Sequence, residues 1–393
     1  MRRVGVAPRA NFAARAQELG FTFHSADGQP YWDESAYYAF TLREIEEGIE
    51  APSEKLAALA LQLVDRVARD ETMLRRLRIP PHAWPLIAES WKRKDPSLYG
   101  RFDFSFDGTG PAKLLEYNAD SPTSLYEAAV FQWAWLEDAL KQNLVPQGAD
   151  QFNSLHEKLI AQLIRIGRDT PSSSGKPMLH LACAAESVED RGLVGYLADC
   201  AIQAGLATTT LGIGDIGSRG AGPFLDLADR PIELLFKLYP WEWMLADPFS
   251  RSASMQATRF IEPAWKAILS NKGILPLLWE MAPNHPNLLP AWFDDDTART
   301  RLQGSYARKP LYSREGSNVT LVVRGEVVDS DDGAYGREGF IVQGLARLPR
   351  FDGNTPVIGS WVVGDEAAGI GVREDASPIT KNTSRFVPHA ILP

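Results

Sequence analysis

Between residues 101 and 118 the sequence alternates so as to place chemistry on one side of a β-hairpin. In Arg101-Phe102-Asp103-Phe104-Ser105-Phe106 an extended strand points successive side chains to opposite faces. Arg101, Asp103 and Ser105 therefore share one face and the three phenylalanines the other. Asp107-Gly108-Thr109-Gly110-Pro111 forms a turn, after which Leu114, Glu116 and Asn118 share one face of the returning strand. Folding about Thr109 and Gly110 sets Asp103 opposite Glu116 and Arg101 opposite Asn118. Two carboxylates and a carboxamide then converge. Hard oxygen donors of this kind suit Mg²⁺, which keeps water and phosphate oxygens in its other positions, while Arg101 is placed to neutralise a phosphoryl group. The competing reading of the same residues is a solvated polar face on an edge hairpin.

The elements that must position this hairpin are mostly helical in the first half of the chain. Leu56, Leu59, Leu63 and Val67 recur at helical spacing, which predicts one long helix from Pro52 to about Leu77, ended by Pro80-Pro81. Further helices are expected over Thr123 to Gln142 and Ser154 to Ile166. From Lys176 to Gly217 an apolar strand (Met178 to Cys183), a helix (about Asp190 to Ala204) and a Thr-rich run (Leu206 to Leu211) make a βαβ pattern, hence a parallel sheet. After Pro310 the short runs Val319 to Val323, Gly339 to Val342 and Pro356 to Val363 lie between Gly and Asp turns and predict an antiparallel sheet.

Composition bounds the function. With 45% hydrophobic and 23% charged residues over 393 positions, the chain is globular and long enough for two or three domains, which excludes disordered and fibrous classes. Apolar stretches such as Ile274 to Trp279 fall far short of the roughly 18 residues that cross a bilayer, so no membrane partner is expected. The net charge of −9 disfavours nucleic acid and favours a small polycation, although it also serves plain solubility. Two cysteines, Cys183 and Cys200, exclude a disulfide framework and fit a reducing cytoplasm. Arg2, Arg3, Arg9 and Arg15 precede the first acid, Glu18, and read as a basic surface segment. No convincing Ser-His-Asp or Cys-His set is present. Gly212-Ile213-Gly214-Asp215-Ile216-Gly217 fits a dinucleotide fingerprint, but the Ser218-to-Pro223 stretch after it cannot open a helix.

Longer motifs carry a family resemblance. Leu114-Leu115-Glu116-Tyr117-Asn118-Ala119-Asp120-Ser121-Pro122-Thr123-Ser124 and Lys237-Leu238-Tyr239-Pro240-Trp241-Glu242-Trp243 are followed by Asn271-Lys272-Gly273-Ile274-Leu275-Pro276. Then come Arg308-Lys309-Pro310-Leu311-Tyr312-Ser313-Arg314-Glu315-Gly316-Ser317-Asn318, Gly371-Val372-Arg373-Glu374 and Ile379-Thr380-Lys381-Asn382. In this order they resemble the glutathionylspermidine synthase family, whose synthetase domain is of ATP-grasp type. The resemblance implies an α/β (α+β) fold with an ATP-grasp-like core, a pre-ATP-grasp βαβ subdomain and a helical N-terminal region. The corresponding divisions are 1–100 for the helical region, 101–150 for the metal hairpin and its helix, 151–225 for the βαβ subdomain and 226–393 for nucleotide binding.

By the same resemblance Asp103, Glu116 and Asn118 match magnesium ligands, and Arg101 the arginine facing the transferred phosphoryl group. Lys272 and Lys309 match nucleotide lysines, Arg314-Glu315-Gly316 a turn over the phosphates, and Arg373 a second arginine at the reacting centre. Gln343-Gly344-Leu345 resembles the hinge whose backbone reads adenine. Peptide binding is expected at Ser121, Thr123 and Ser124, and at the acidic pair Glu189 and Asp190, where a carboxylate could hold a peptide α-amino group or a polyamine nitrogen. Ser121 and Ser124 are alternatively helix N-caps. Trp241 and Trp243 read as core or interface packing as readily as ligand stacking.

The implied activity is an ATP- and Mg²⁺-dependent ligation, through an acyl phosphate, of a glutathione-like peptide carboxylate to a polyamine such as spermidine. The N-terminal amidase domain of the bifunctional members is not matched, so synthesis alone is expected. An ATP-grasp ligase for another peptide or amine, and a non-catalytic nucleotide-binding protein, are the alternatives. The Asp- and Gly-rich stretch Asp329 to Gly339 is a candidate lid, its Asp329, Asp331 and Asp332 being either a polyamine lure or a solvated turn. A metal hairpin far upstream of the phosphate lysines implies a site assembled across the whole chain, so truncation at either end is expected to abolish activity; removal of 1–90 leaves these site residues themselves intact, and full activity of that fragment would count against a shared core.

Overall fold

In the computed structural model, which describes every residue except 27 and 173–176, short strands, several of them buried along their whole length, build several sheets. The start of the expected βαβ segment, Lys176, lies outside the described residues. Near the N-terminus β1 (Arg2–Gly5) and β2 (Ala36–Phe40) pair antiparallel. Helix α1 (Ala51–Val67) buries Leu56, Ala60, Leu63, Val64 and Val67 at i, i+3 and i+4 spacing. The expected single helix to Leu77 is broken. The Asp70 side chain accepts from the backbone of Thr72 and Met73, and this N-cap starts a separate α2 (Glu71–Arg76).

The hairpin strands are β3 (Tyr99–Ser105) and β4 (Lys113–Asn118). Phe102, Phe104 and Phe106 are buried in one core with Leu56, Leu63 and Val67 of α1, which turns the opposite face of β3 outward to the site. The helical run after Ser124 ends in α3 (Gln132–Lys141), and α4 (Leu155–Asp169) follows. The βαβ reading holds as β5 (Met178–Cys183), α5 (Val188–Gln203) and β6 (Ala207–Gly212). Helix α5 starts two residues earlier than expected because Ser187 caps it, accepting from the Asp190 amide. With β7 (Leu234–Leu238) and β8 (Arg259–Ile261) these strands form a parallel sheet in the order β8-β7-β5-β6.

Beyond α6 (Ile274–Met281) lie β9 (Ala291–Phe293), β10 (Tyr306–Pro310), β11 (Thr320–Val323), β12 (Glu326–Ser330) and β13 (Phe340–Gly344). They form an antiparallel sheet ordered β9-β13-β10-β11-β12. The last third of the chain is not one sheet, as the turn spacing alone suggested. Strands β14 (Thr355–Val363), β15 (Glu366–Asp375) and β16 (Arg385–Val387) continue the upstream hairpin instead, in the order β16-β15-β14-β3-β4. Nearly every residue of β14 and β15 is buried, so these strands need covered faces on both sides: α1 covers one, α4 and the helical turn at 127–131 cover the other, and the hairpin continues the sheet at its edge.

The chain closes with β17 (His389–Ile391), parallel to β2. No helix among the described residues is long and apolar enough to cross a membrane. Because β17 buries Ala390 completely and His389 Nδ1 meets Gln132 Oε1 at 2.9 Å, deleting residues 389–393 should lower the melting midpoint, measured by calorimetry, by about 5 °C or more.

Candidate active site

Strands β3 and β4 pair in the register read from the sequence, Arg101 opposite Asn118 and Asp103 opposite Glu116. Between Asp103 and Phe104 the register then slips by one, so Phe104 faces Leu114 and Ser105 faces Lys113. Leu114, expected on the Glu116 face, is therefore in the core beside Phe104. The bulge inserts Leu115. It also turns two carbonyls to useful partners: Leu115 O accepts from Lys309 Nζ at 2.8 Å, and Leu114 O from Gln343 Nε2 at 3.0 Å.

At the centre Arg101 grips Asp103 with two bonds, Nε to Oδ1 at 2.7 Å and Nη2 to Oδ2 at 3.1 Å. Asn118 Nδ2 donates to Asp103 Oδ2 at 3.0 Å and to Glu116 Oε1 at 3.1 Å, so one point lies close to both carboxylates. Lys272 Nζ is 3.0 Å from Glu116 Oε2. Withdrawal from solvent would raise Glu116, but Lys272 and Lys309 hold it at about 2. For Asp103 burial prevails over Arg101, and its carboxyl is raised. Burial pushes the Lys309 ammonium down to about 8 against the opposing pull of Glu116. Among the described residues no three His, Cys, Asp or Glu gather as metal ligands. Two carboxylates and an amide fit Mg²⁺ all the same, since that ion takes its remaining oxygens from water and phosphate. To present its oxygen, the Asn118 amide has to turn over from the orientation seen here.

Two cavities meet at this centre. One, of about 340 Å³, is mainly apolar, lined by Leu321, Val323 and Val328 of the β11–β12 hairpin, by Leu345 and Ile379, and by Lys309. The other, of about 100 Å³, is polar and is lined by Arg101, Ser121, Thr123, Ser124, Arg314 and Arg373. Asp103, Glu116, Gly316, Val357 and Thr380 belong to both.

The remaining expected residues fall around these cavities. Asn271-Lys272-Gly273 fixes Lys272 through Asn271, which bonds Leu77 O at 2.7 Å, and through Gly273, where a Cβ would lie 2.6 Å from Leu77. In Arg314-Glu315-Gly316 the latter two residues have positive φ, and a Cβ on Gly316 would lie 2.7 Å from Ile379 and from Thr380 O. Arg314 Nη2 reaches Ser121 Oγ at 2.7 Å, while Ser124 Oγ bonds Tyr31 at 2.9 Å. Neither hydroxyl caps the following helix. Thr123 O accepts from Arg101 Nη1 at 2.7 Å. Arg373 lines the polar cavity, with Nη2 held by the carbonyls of Lys381, Asn382 and Ser384 at 2.8 to 3.0 Å.

Gln343 is redirected. Its backbone pairs within β13 and its side chain bonds Lys309 Nζ at 2.8 Å, so it positions that lysine, and Gly344, Leu345 and Ala346 are left to line the apolar cavity. Glu189 and Asp190 stand in the first turn of α5, outside the polar cavity's lining but in electrostatic reach of it. Partial burial, Glu127 and Asp190 push Glu189 up to about 8. In the candidate lid Asp329 accepts from Ser377 Oγ at 2.7 Å and Asp331 pairs with Lys381 at 3.3 Å, so both are engaged with the 377–381 turn. After Gly217 no helix opens, which disposes of the dinucleotide fingerprint. Trp241 is core, and Trp243 is half exposed near Arg314.

Two positioning devices were missed. Asp120 takes Lys237 Nζ at 2.7 Å and the Trp241 amide at 2.6 Å, tying the metal strand to the motif of 237–243. At Gly359 of β14 a Cβ would lie 2.7 Å from Arg101 Cδ, and next to it Trp361 packs under the Arg101 guanidinium at 5.4 Å. Asp120 and Lys237 were visible inside quoted motifs, but nothing in the sequence signalled Gly359.

The chain was compared with known proteins. The family model described as glutathionylspermidine synthase preATP-grasp matches residues 3–392. A Haemophilus influenzae protein that carries the provisional name acid–amine ligase is 41% identical over 408 residues, covering all of both chains. The bifunctional glutathionylspermidine synthetase/amidase of Escherichia coli is 30% identical over 380 residues, 90% of this chain and 58% of the relative. Trypanothione synthetase of Crithidia fasciculata is 30% identical over 83% of this chain and 52% of its own length. The chain thus spans little more than half of these two relatives. Among solved structures a glutathione synthetase-like effector of Globodera pallida superposes with a TM-score of 0.59 at 11% identity, covering 97% of this chain and 96% of that one, a likeness of fold.

A raised carboxyl favours the folded state below its unfolded pKa and costs stability as pH rises toward the folded value, for Glu189 from about 4.5 to about 8. Glu189→Gln should therefore melt several degrees above the parent protein at pH 8.5, with the difference vanishing near pH 4. Equal midpoints at both pH values would show that Glu189 is not destabilised in the fold.

Proposed function

We propose that this chain, which belongs to the glutathionylspermidine synthase family, joins the carboxylate of a glutathione-like peptide to an amine of a polyamine such as spermidine, consuming ATP. The observation that carries the reading is the shared wall of the two cavities: Asp103 and Glu116 stand where an apolar cleft meets a polar, arginine-rich pocket. Adenine suits the apolar cleft beside Leu345, and the phosphates extend toward Lys309 and Lys272. The peptide carboxylate suits the polar pocket, against Arg101 and Arg373.

Asp103, Glu116 and the turned Asn118 amide would hold Mg²⁺, which would supply positive charge to offset that of the phosphates. Arg101, released in part from Asp103, faces the phosphoryl group as it passes to the peptide carboxylate and ADP leaves. The amine, arriving unprotonated, then attacks the acyl carbon, phosphate departs, and Arg373 offsets charge on the tetrahedral adduct. Ser121, Thr123 and Ser124 orient the peptide, and Glu189 with Asp190 attracts the cationic amines. No covalent protein intermediate is needed. The Arg314-Glu315-Gly316 turn covers the phosphates, locked in place by Ile379 and Thr380.

ADP release should require glutathione and spermidine together, stop on chelation of the metal, and fall about 10³-fold in Glu116→Ala. Turnover with a different acid or amine would overturn the substrates while keeping the ligase. ATP binding without turnover under any pair would overturn the ligase reading in favour of a nucleotide-binding protein.

A further inference from the structure

Tyr31 belongs to the N-terminal segment, far in sequence from every expected site residue, and does not itself line the polar cavity, yet its buried side chain reaches the residues that do. Its hydroxyl is 2.9 Å from Ser124 Oγ and donates to Glu127 Oε1 at 2.7 Å. Ser124 lines that cavity and has a φ of 67°, a left-handed conformation that costs a serine energy unless neighbours hold it. Arg373, which lines the same cavity, places its guanidinium carbon 5.9 Å from the centre of the Tyr31 ring. The Tyr31 carbonyl accepts from the amide of Phe386, another lining residue, at 2.6 Å. The next residue, Trp32, stacks on the Phe386 ring with centroids 5.2 Å apart. Tyr31 thus touches three lining residues of the pocket: its backbone holds Phe386, its hydroxyl meets Ser124 and its ring lies against Arg373.

Glu127 is buried, and among the described residues the Tyr31 hydroxyl is the only side chain that hydrogen-bonds its carboxylate, with no cation at ion-pair distance. Burial raises the Glu127 carboxyl, and its contact with the phenol is the inner end of a short chain of hydrogen-bonded groups. Glu127, Tyr31 and Ser124 are linked in that order, and the chain ends on a hydroxyl that lines the pocket.

We propose that Tyr31 is a positioning residue for the acid-substrate half of the site, fixing Ser124 and Arg373, so that the N-terminal segment supports the lining of the pocket from behind. That support gives a physical reason for the expectation that truncation at the N-terminal end abolishes activity. The nucleotide half, lined from residue 103 onward, makes no use of Tyr31. The proposal rests on the ligase reading for its choice of substrate but not for its geometry.

Tyr31→Phe keeps the ring and removes only the hydroxyl. In steady-state assays of the full chain with ATP, glutathione and spermidine, KM for glutathione should rise about fivefold, the factor that one lost hydrogen bond makes, with KM for ATP within twofold of the parent. Because buried Glu127 loses its side-chain partner, the melting midpoint should fall by about 3 to 10 °C, leaving the variant folded at the assay temperature. Glu127→Gln, which leaves Tyr31 in place and keeps an acceptor oxygen for it, should retain most of the parent KM for glutathione. Equal KM values, or a parallel rise for ATP, would overturn the proposal. Hydrogen exchange of the amides between 118 and 126 supplies a readout that needs no substrate. These amides should exchange severalfold faster in Tyr31→Phe, and unchanged exchange would sink the idea. If the parent protein turns over no glutathione with spermidine, the substrate reading fails, and the exchange result still decides the role of Tyr31.

Discussion

Two carboxylates, Asp103 and Glu116, are forced side by side by the register of one hairpin, and like charges at that distance repel unless cations reach them. The protein brings Arg101 to one and Lys272 to the other, with Lys309 behind. The chemistry follows from this arrangement. Half-buried acids matched by cations on separate segments form a site whose charges rearrange when a metal and phosphates arrive, since both additions find partners already in place. Arg101 is paired with Asp103 and Lys272 with Glu116, so under the proposed reading each would have to share itself with an incoming anion.

That requirement explains why the site draws on the whole chain. The hairpin is upstream, Lys272 precedes α6, Lys309 is on β10 and Arg373 on β15. The cations cannot be supplied by the hairpin itself, because its other face is committed to the phenylalanine core against α1. Strands β14 and β15 do two jobs at once: they complete the hairpin's sheet and bring Gly359 and Arg373 to the site. A side chain at 359 would push Arg101 away from Asp103, so the absence of a Cβ there is a condition of the ion pair.

Much of this was legible in the sequence because strand alternation is a short-range rule. The pairing of Asp103 with Glu116 followed from the turn at Thr109-Gly110, and the βαβ unit from apolar runs bounded by Gly. The bulge was not legible, since one inserted residue leaves the alternation pattern plausible on either side, and it moved Leu114 to the other face. Sheet membership of β14 and β15 was likewise hidden: which distant strand an apolar run joins depends on long-range packing that no local period encodes. Asp70 stopped α1 early because a cap competes with apolar periodicity over only a few residues. Tyr31 carried no signal, being an aromatic in an unpatterned stretch.

The two cavities divide the work by the character of their walls. Under the proposed reading the apolar cleft lined by β11 and β12 would exclude water from a flat base, whereas the polar pocket would accept an anion and then an amine. Arginines at 101, 314 and 373 line that pocket and suit the anion, whereas Glu127, Glu189 and Asp190 stand outside its lining, with Arg373 in electrostatic reach of Glu127 and Glu189. Placed together without such separation, these groups would cancel as ion pairs. Kept apart, Glu189 remains partly protonated near neutrality, at about 8, and becomes more anionic as a nearby cation arrives. A polyamine nitrogen would therefore strengthen its own site on entry, and would do so beside the arginine that faces the reacting carboxylate. The strain in Ser124 and the buried pair of Glu127 and Tyr31 are the structural cost of holding opposite charges this close without letting them meet.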